Sequence, residues 1–190
     1  MLLATSLPVP VTASVQPVAV TMNKLGPEGR ALATQTGSWD VTETVWATPE
    51  AKPIVTTGVA VRQMIGPLLQ EILYPAGDQS DKTISRIDYL SFNRVEGRWN
   101  YVSMDTRAPV GIMTANSFER DPPDRIQVVF MPFAVPGDST VVSGQLLRMD
   151  QIIETIGSDG SRKDQHFIMA DGTGRKWLAH RYNYTRRARS

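Results

Sequence analysis

From Trp39 onward the dominant repeat of the chain is two residues. In WDVTETVW, Trp39, Val41, Glu43 and Val45 share one side of an extended segment, and Asp40, Thr42, Thr44 and Trp46 share the other. IVTTGVAVRQMI follows with Val55, Thr57, Val59 and Val61 in alternation, then LLQEILYP, TISRIDYLSFN, WNYVSMD, VGIMTANSFE and RIQVVFMPF. Turn signals separate these runs: TPEAKP, Gly66-Pro67, AGDQSDK, RVEGR, Ala108-Pro109 and RDPPD. Pro132 and Pro136 cut the last run and mark it as an edge or bent strand, because proline has no N–H to offer a neighbour. GQLLRMDQIIETIG also fits one face of a helix, yet the SDGSRKD turn after it and the surrounding pattern favour a strand. QHFIMADGTGRKWLAHRYNYTR then reads as two strands around a glycine-rich turn, Asp171–Gly174.

The one helical signal precedes all of this. In NKLGPEGRALATQTG, Pro27 suits a first helical turn, where its missing N–H would be unpaired anyway, and Glu28 suits the positive end of the helix dipole. The pattern therefore predicts a short N-terminal helix followed by about eight to ten strands with short connections, an all-β antiparallel sandwich or barrel. Residues 1–22 read as a separate apolar arm: MLLATSLPVPVTASVQPVAVTM holds no charge, but Pro8, Pro10 and Pro17 interrupt it, so no membrane span is expected. The alternatives for this stretch are a draped arm or a signal-peptide remnant, Val11-Thr12-Ala13 resembling a cleavage site. Residues 23–190 read as a single barrel domain, a length that buries one core.

Composition narrows the function classes. The chain has no cysteine, which removes disulfides, thiolate metal sites and cysteine nucleophiles and leaves periplasm, secretion and cytoplasm equally open. Net charge is +1, but six of the 20 Lys and Arg, and none of the 19 Asp and Glu, lie after Asp171. Such a basic end reads as a solvated face, and without an aromatic-interleaved basic surface elsewhere no nucleic-acid partner is expected. The chain has no P-loop, HExxH or GxSxG motif, and DGTG is a turn with no helix after it, so no cofactor is called for.

A closed barrel must plug its end. Trp39, preceded by Gly37 and a short helix, suits that role, and the closing strand YNYTRR supplies Arg186 and Arg187, whose guanidinium over the indole would staple first strand to last. The helix, the Gly37-x-Trp39 opening and the arginine on the last strand resemble the calycin superfamily of lipocalin-like barrels. From about Leu25 to Arg187 the chain resembles a bacterial domain-of-unknown-function family with a GxW opening, a middle Y…W…D segment and a YTR ending. These are Gly37-Ser38-Trp39, Tyr89 with Trp99 and Asp105, and Tyr184-Thr185-Arg186. The resemblance implies an antiparallel up-and-down calycin-like β-barrel closed by Trp39 and Arg186. It implies no particular function, since such barrels serve as carriers, enzymes and structural modules alike. The apolar arm, and Arg62 in the second strand, depart from the family pattern.

Glu43 shares the Trp39 face, and an interior carboxylate needs a partner, for which Arg62 and Gln63 on the next strand are candidates. YVSMDTR places Tyr101, Ser103 and Asp105 on one side with Arg107 beyond, able to orient a polar head group at a barrel mouth, although Asp105-Thr106 is equally a strand-ending turn. His166 and His180 fall on late, neighbouring strands, as an acid/base pair, as two ligands of a metal or haem, or as surface groups; with no positioned third ligand, no metal site is expected. Met64, Met104, Met113, Met131, Met149 and Met169 suit either an adaptable apolar cavity or an ordinary core. The expected ligand set is Glu43, Arg62, Tyr101, Asp105, Arg107, Met113 and His180, with Asp105, His180 and Glu43 the acid/base candidates. The leading expectation is a barrel, monomeric or homodimeric, that holds a small, mostly apolar molecule. The alternatives are a cofactor-free isomerase, cyclase or hydratase, and a filled structural or interaction barrel.

Overall fold

A computed structural model describes residues 24–77, 83–135 and 145–188, so the arm read in residues 1–22 lies outside the described residues. Helix α1 (Pro27–Ala33) begins with the proline in its first turn, and its first-turn Glu28 and last-turn Arg30 both complement the helix dipole. The helix buries Leu32 in a cluster that includes Leu69, Leu90 and Trp99. Eleven strands follow among the described residues: β1 (Gly37–Val45), β2 (Ile54–Ile65), β3 (Leu68–Pro75), β4 (Arg86–Asn93), β5 (Arg98–Asp105), β6 (Ile112–Asn116), β7 (Arg125–Phe130), β8 (Phe133–Val135), β9 (Gln145–Ile156), β10 (Gly160–Met169) and β11 (Lys176–Arg186).

Strands β1 to β7 and β9 to β11 pair in chain order, each antiparallel to the next, and β11 returns to β1. The result is an all-β, closed ten-stranded up-and-down barrel with one short helix. Strand β8 is not an eleventh stave. Strand β7 runs along β9 from Arg125↔Glu154 to Val129↔Asp150, and β8 resumes on the same edge at Phe133↔Leu147 with the register slipped by one. The slip falls at Met131-Pro132, where the proline lacks a ladder donor, so the run is one bent strand. GQLLRMDQIIETIG forms β9. Among the described residues no helix is long and apolar enough to cross a membrane.

The seam between first and last strand is built on Trp39, which is fully buried. Arg186 faces it in register and lays its guanidinium 4.1 Å from the ring centroid. The same guanidinium donates to the carbonyls of Thr36 and Thr34, 2.7 Å each, and Trp39 Nε1 donates to the Gln35 carbonyl at 3.0 Å. Gly37 makes the approach possible: its φ is +125°, and a Cβ there would stand 3.2 Å from Arg186 Nη1. On β2 the period-two pattern is real but its apolar side points out. Ala60 and Arg62 are buried in the barrel, whereas Val55 and Val61 are exposed.

Candidate functional site

Two apolar groups occupy the barrel, one around Trp99, Tyr101 and Phe130, the other around Trp39, Val41 and Leu73. Between them, four strands send charged side chains to the axis. Lys163 of β10 crosses the interior to reach Glu71 on β3 at 2.9 Å and Asp88 on β4 at 2.6 Å, with Tyr101 Oη 3.3 Å away. Arg62 holds the far side of Glu71 at 2.6 Å; Arg86 holds Asp88 at 2.9 Å and donates to Tyr182 Oη at 3.0 Å. Tyr184 Oη donates to Glu71 at 2.9 Å. All five charged groups are buried. Desolvation opposes every one of these charges, but the opposite charges beside them prevail. Lys163 and Arg62 hold Glu71, and Arg86 and Lys163 hold Asp88, below the ordinary carboxylate range, while Lys163 itself is pushed well above the usual lysine value. The space left at this level is about 40 Å³, room for only a few waters. The axis is therefore filled here.

Arg62 belongs to this network and not to Glu43. Register sets it opposite Gly37, its side chain pairs with Glu71, and its guanidinium lies 4.8 Å from the Trp39 ring and 4.3 Å from the Tyr184 ring. Glu43 finds other partners, toward one end of the barrel. Arg107, just beyond β5, donates to Glu43 at 2.6 Å and to Asp105 at 2.8 Å, and His180 Nδ1 lies 3.0 Å from Glu43 Oε1. Burial pushes the Glu43 carboxyl up, but hydrogen bonds from His180, Arg107 and Tyr182 outweigh it and hold the group ionised, well below its ordinary range. Asp105 is lowered in the same sense, burial being outweighed by its bonds to Arg107. The Asp105 and Glu43 carboxylates in turn raise Arg107. An ionised Glu43 can only accept, so His180 donates to it from Nδ1.

A bulge aims His180. Gln165 faces His180 but His166 faces Leu178, so Ala179 is an extra residue on β11. It turns both His180 and Trp177 onto Phe167, each ring centroid 5.6 Å from it. His180 also stacks on Tyr182, 6.1 Å away with the planes 6° apart. His166 points the other way, opposite Asp150, and its Nδ1 is buried without a hydrogen bond. The two histidines thus lie on adjacent strands but form no pair.

Beside the Glu43 cluster lies a cleft of about 180 Å³, lined by Val41, Glu43, Thr56, Gly58, Leu73, Tyr74, Pro75, Ser85 and Arg107 among others. Its floor is narrow at Gly58, where a Cβ would stand 2.5 Å from the Tyr74 carbonyl oxygen. Of the sequence candidates, Glu43 and Arg107 line this cleft, and Asp105 and His180 hold them from behind. Tyr101 joins the Lys163 network and Met113 the apolar group around Trp99. No methionine lines the cleft, and Met131 is exposed. Among the described residues of the basic end, Arg181 pairs with Asp164 at 2.8 Å and Arg187 with Asp40 at 2.6 Å.

Sequence reasoning missed Glu71, Arg86, Asp88 and Lys163. For three of them a signal was present, in Leu69-x-Glu71-x-Leu73 and Arg86-x-Asp88-x-Leu90, whereas Lys163 lies between Ser161 and Gln165 on its side of the strand and carries none. No family model matches the chain, and no curated protein matches it. Among solved structures it is similar to Rv2717c from M. tuberculosis, with a TM-score of 0.55 and 15% identity, covering 87% of this chain and 100% of that one. At that identity the likeness speaks for the barrel fold alone.

Proposed function

We propose that the protein is a small-molecule-binding barrel whose ligand sits in the cleft beside Glu43 and Arg107. The observation that supports this reading is that Glu43 and Arg107 meet at one cleft, held from behind by Asp105 and His180, while little space is left on the axis further in. Val41, Leu73 and Pro75 offer apolar contact for most of the ligand. Arg107 binds Glu43 and Asp105 through its N–H groups and is the more exposed partner, so the cluster offers the polar end of a ligand a charge-paired edge. Native mass spectrometry of protein from its own host, before and after denaturation, tests this. A stoichiometric small molecule that leaves on unfolding, and is absent from Glu43→Gln protein, is the expected result. A bare mass for the wild type, or equal occupancy in Glu43→Gln, overturns it.

A second reading rests on the Glu43–His180 bond, which orients an imidazole as a general base. Glu43 and Asp105 are held ionised, so proton transfer would fall to His180. Turnover of the captured molecule by wild type but not by His180→Gln would favour an enzyme over a carrier.

A further inference from the structure

The outer surface of the barrel is divided in two. On β7, β9, β10 and β11 the outward positions carry charges that pair across strands, such as Arg125 and Arg162 with Glu154, and Arg181 with Asp164. On β2 to β6 the polarity is inverted. These strands send Arg62, Glu71, Arg86 and Asp88 inward, and the only charge at their outward positions is Arg98, at the rim. Register aligns Val61, Ile72, Ile87, Met104 and Ile112 in one unbroken row across all five strands. The ends of the row are open to solvent, Val61 at 36% and Ile112 at 69%. Two further rows flank it, Val59, itself buried, opposite Tyr74 on one side and Tyr89 opposite Val102 on the other. The remaining outward groups are uncharged: Gln63 donates to Gln70 at 2.6 Å and Gln70 to Tyr89 Oη at 2.7 Å.

We propose that this β2–β6 wall packs against the same wall of a second copy of the chain, an isologous two-fold contact. Five strands at about 4.8 Å spacing and about six residues of length give a face of roughly 24 by 20 Å, comparable to the largest apolar patches on monomers, which are often functional. The choice of partner follows from charge. A face without charge across five strands asks for a face without charge, and the chain itself carries one of matching width that a two-fold axis sets upon it. Two sheet faces of this kind pack in the aligned manner, about 10 Å apart. The glutamines and threonines among the aliphatic side chains suit a protein face better than hydrocarbon.

Sedimentation velocity of the full chain between about 1 and 100 μM tests the contact. Wild type is expected to sediment as a dimer, as is Ile156→Lys, an exposed control on β9 outside the wall. Val61→Lys with Ile112→Lys, both exposed and so neutral to folding, is expected to weaken the dimer at least about a hundredfold, because like charges would meet across a dry contact. The chain has no cysteine, so a single Ile87→Cys at the centre of the row, near the two-fold axis, should be joined by a short bis-maleimide while Ile156→Cys is not. The proposal is overturned by a wild type that stays monomeric throughout, by a dimer that survives both lysines, or by failure of Ile87→Cys to cross-link. A monomer that floats with phosphatidylcholine vesicles would overturn it in favour of a lipid surface.

Discussion

Removing Lys163 asks whether the interior charges act as a set. Lys163→Met keeps most of the side-chain volume and deletes the ammonium that lies 2.9 Å from Glu71 and 2.6 Å from Asp88. Both carboxylates stay buried, but neither is left bare: Arg62 remains 2.6 Å from Glu71 and Arg86 2.9 Å from Asp88. Breaking a buried pair outright costs about 3–5 kcal/mol; with a guanidinium left on each carboxylate, the lower end, about 3 kcal/mol at neutral pH, is expected. The pH dependence has a definite sign. Glu71 and Asp88 are depressed in the folded protein, so their contribution is fully present above the unfolded values of about 4 and is lost as pH falls through the lower folded values. In the variant the two carboxyls titrate closer to the unfolded values and have less to lose. The gap between wild type and variant should therefore be widest near neutral pH and narrow steadily below about pH 4. Urea unfolding followed by the fluorescence of the buried Trp39 and Trp99 reads both. A loss below about 1 kcal/mol at neutral pH, or a gap that does not change with pH, would refute the reasoning.

The seam and the cleft give further tests. Arg186→Met removes a cation–π contact and three carbonyl bonds and is expected to lower stability by about 2 kcal/mol in urea titration; under about 0.5 kcal/mol would mean the seam holds without it. Gly37→Ala forces φ +125° on an L side chain and crowds Arg186. A loss above about 1 kcal/mol, seen as a drop of roughly 2–4 °C or more in Tm, is expected. Glu43→Gln should change the His180 Nδ1 environment: nitrogen NMR is expected to find Nδ1 carrying a proton in wild type and its signal shifted in the variant, and a wild type with a bare Nδ1 would contradict the Glu43 bond.

The strands were legible because a two-residue period does not depend on which side faces in. Trp39 and Arg186 were legible for a related reason, since a closed barrel must bring first strand to last whatever the register between them. Glu43, Asp105, Arg107 and His180 could be named as chemistry, but their meeting depends on barrel closure and on the extra residue Ala179 in β11, which no local pattern marks. Inside and outside were not legible for β2 to β4. On β3, Leu69 and Leu73 point in while Leu68 and Ile72 do not, so hydrophobicity on the two sides is nearly balanced. The reading therefore missed a charged interior behind an aliphatic wall.

If the two sides of β2 and β3 are nearly equivalent to the hydrophobic effect, something else must choose between them. A slip of one residue would flip every side chain of a strand, and here it would carry Arg62 and Glu71, directly opposite each other in register, out of the barrel and away from Lys163. We infer that the buried ion pairs select the face, a role in specificity more than in stability. Arg62→Met with Glu71→Leu removes one cross-strand pair without changing net charge, and Lys163 keeps Asp88. The double variant should unfold within about 1 kcal/mol of wild type, since well-packed apolar replacements of buried pairs are often neutral. Its amide NMR spectrum should nevertheless show doubled or broadened peaks along β2 and β3. One sharp set of peaks would mean that the turn at Gly66 and the remaining core fix the face unaided, and the specificity role would have to be given up.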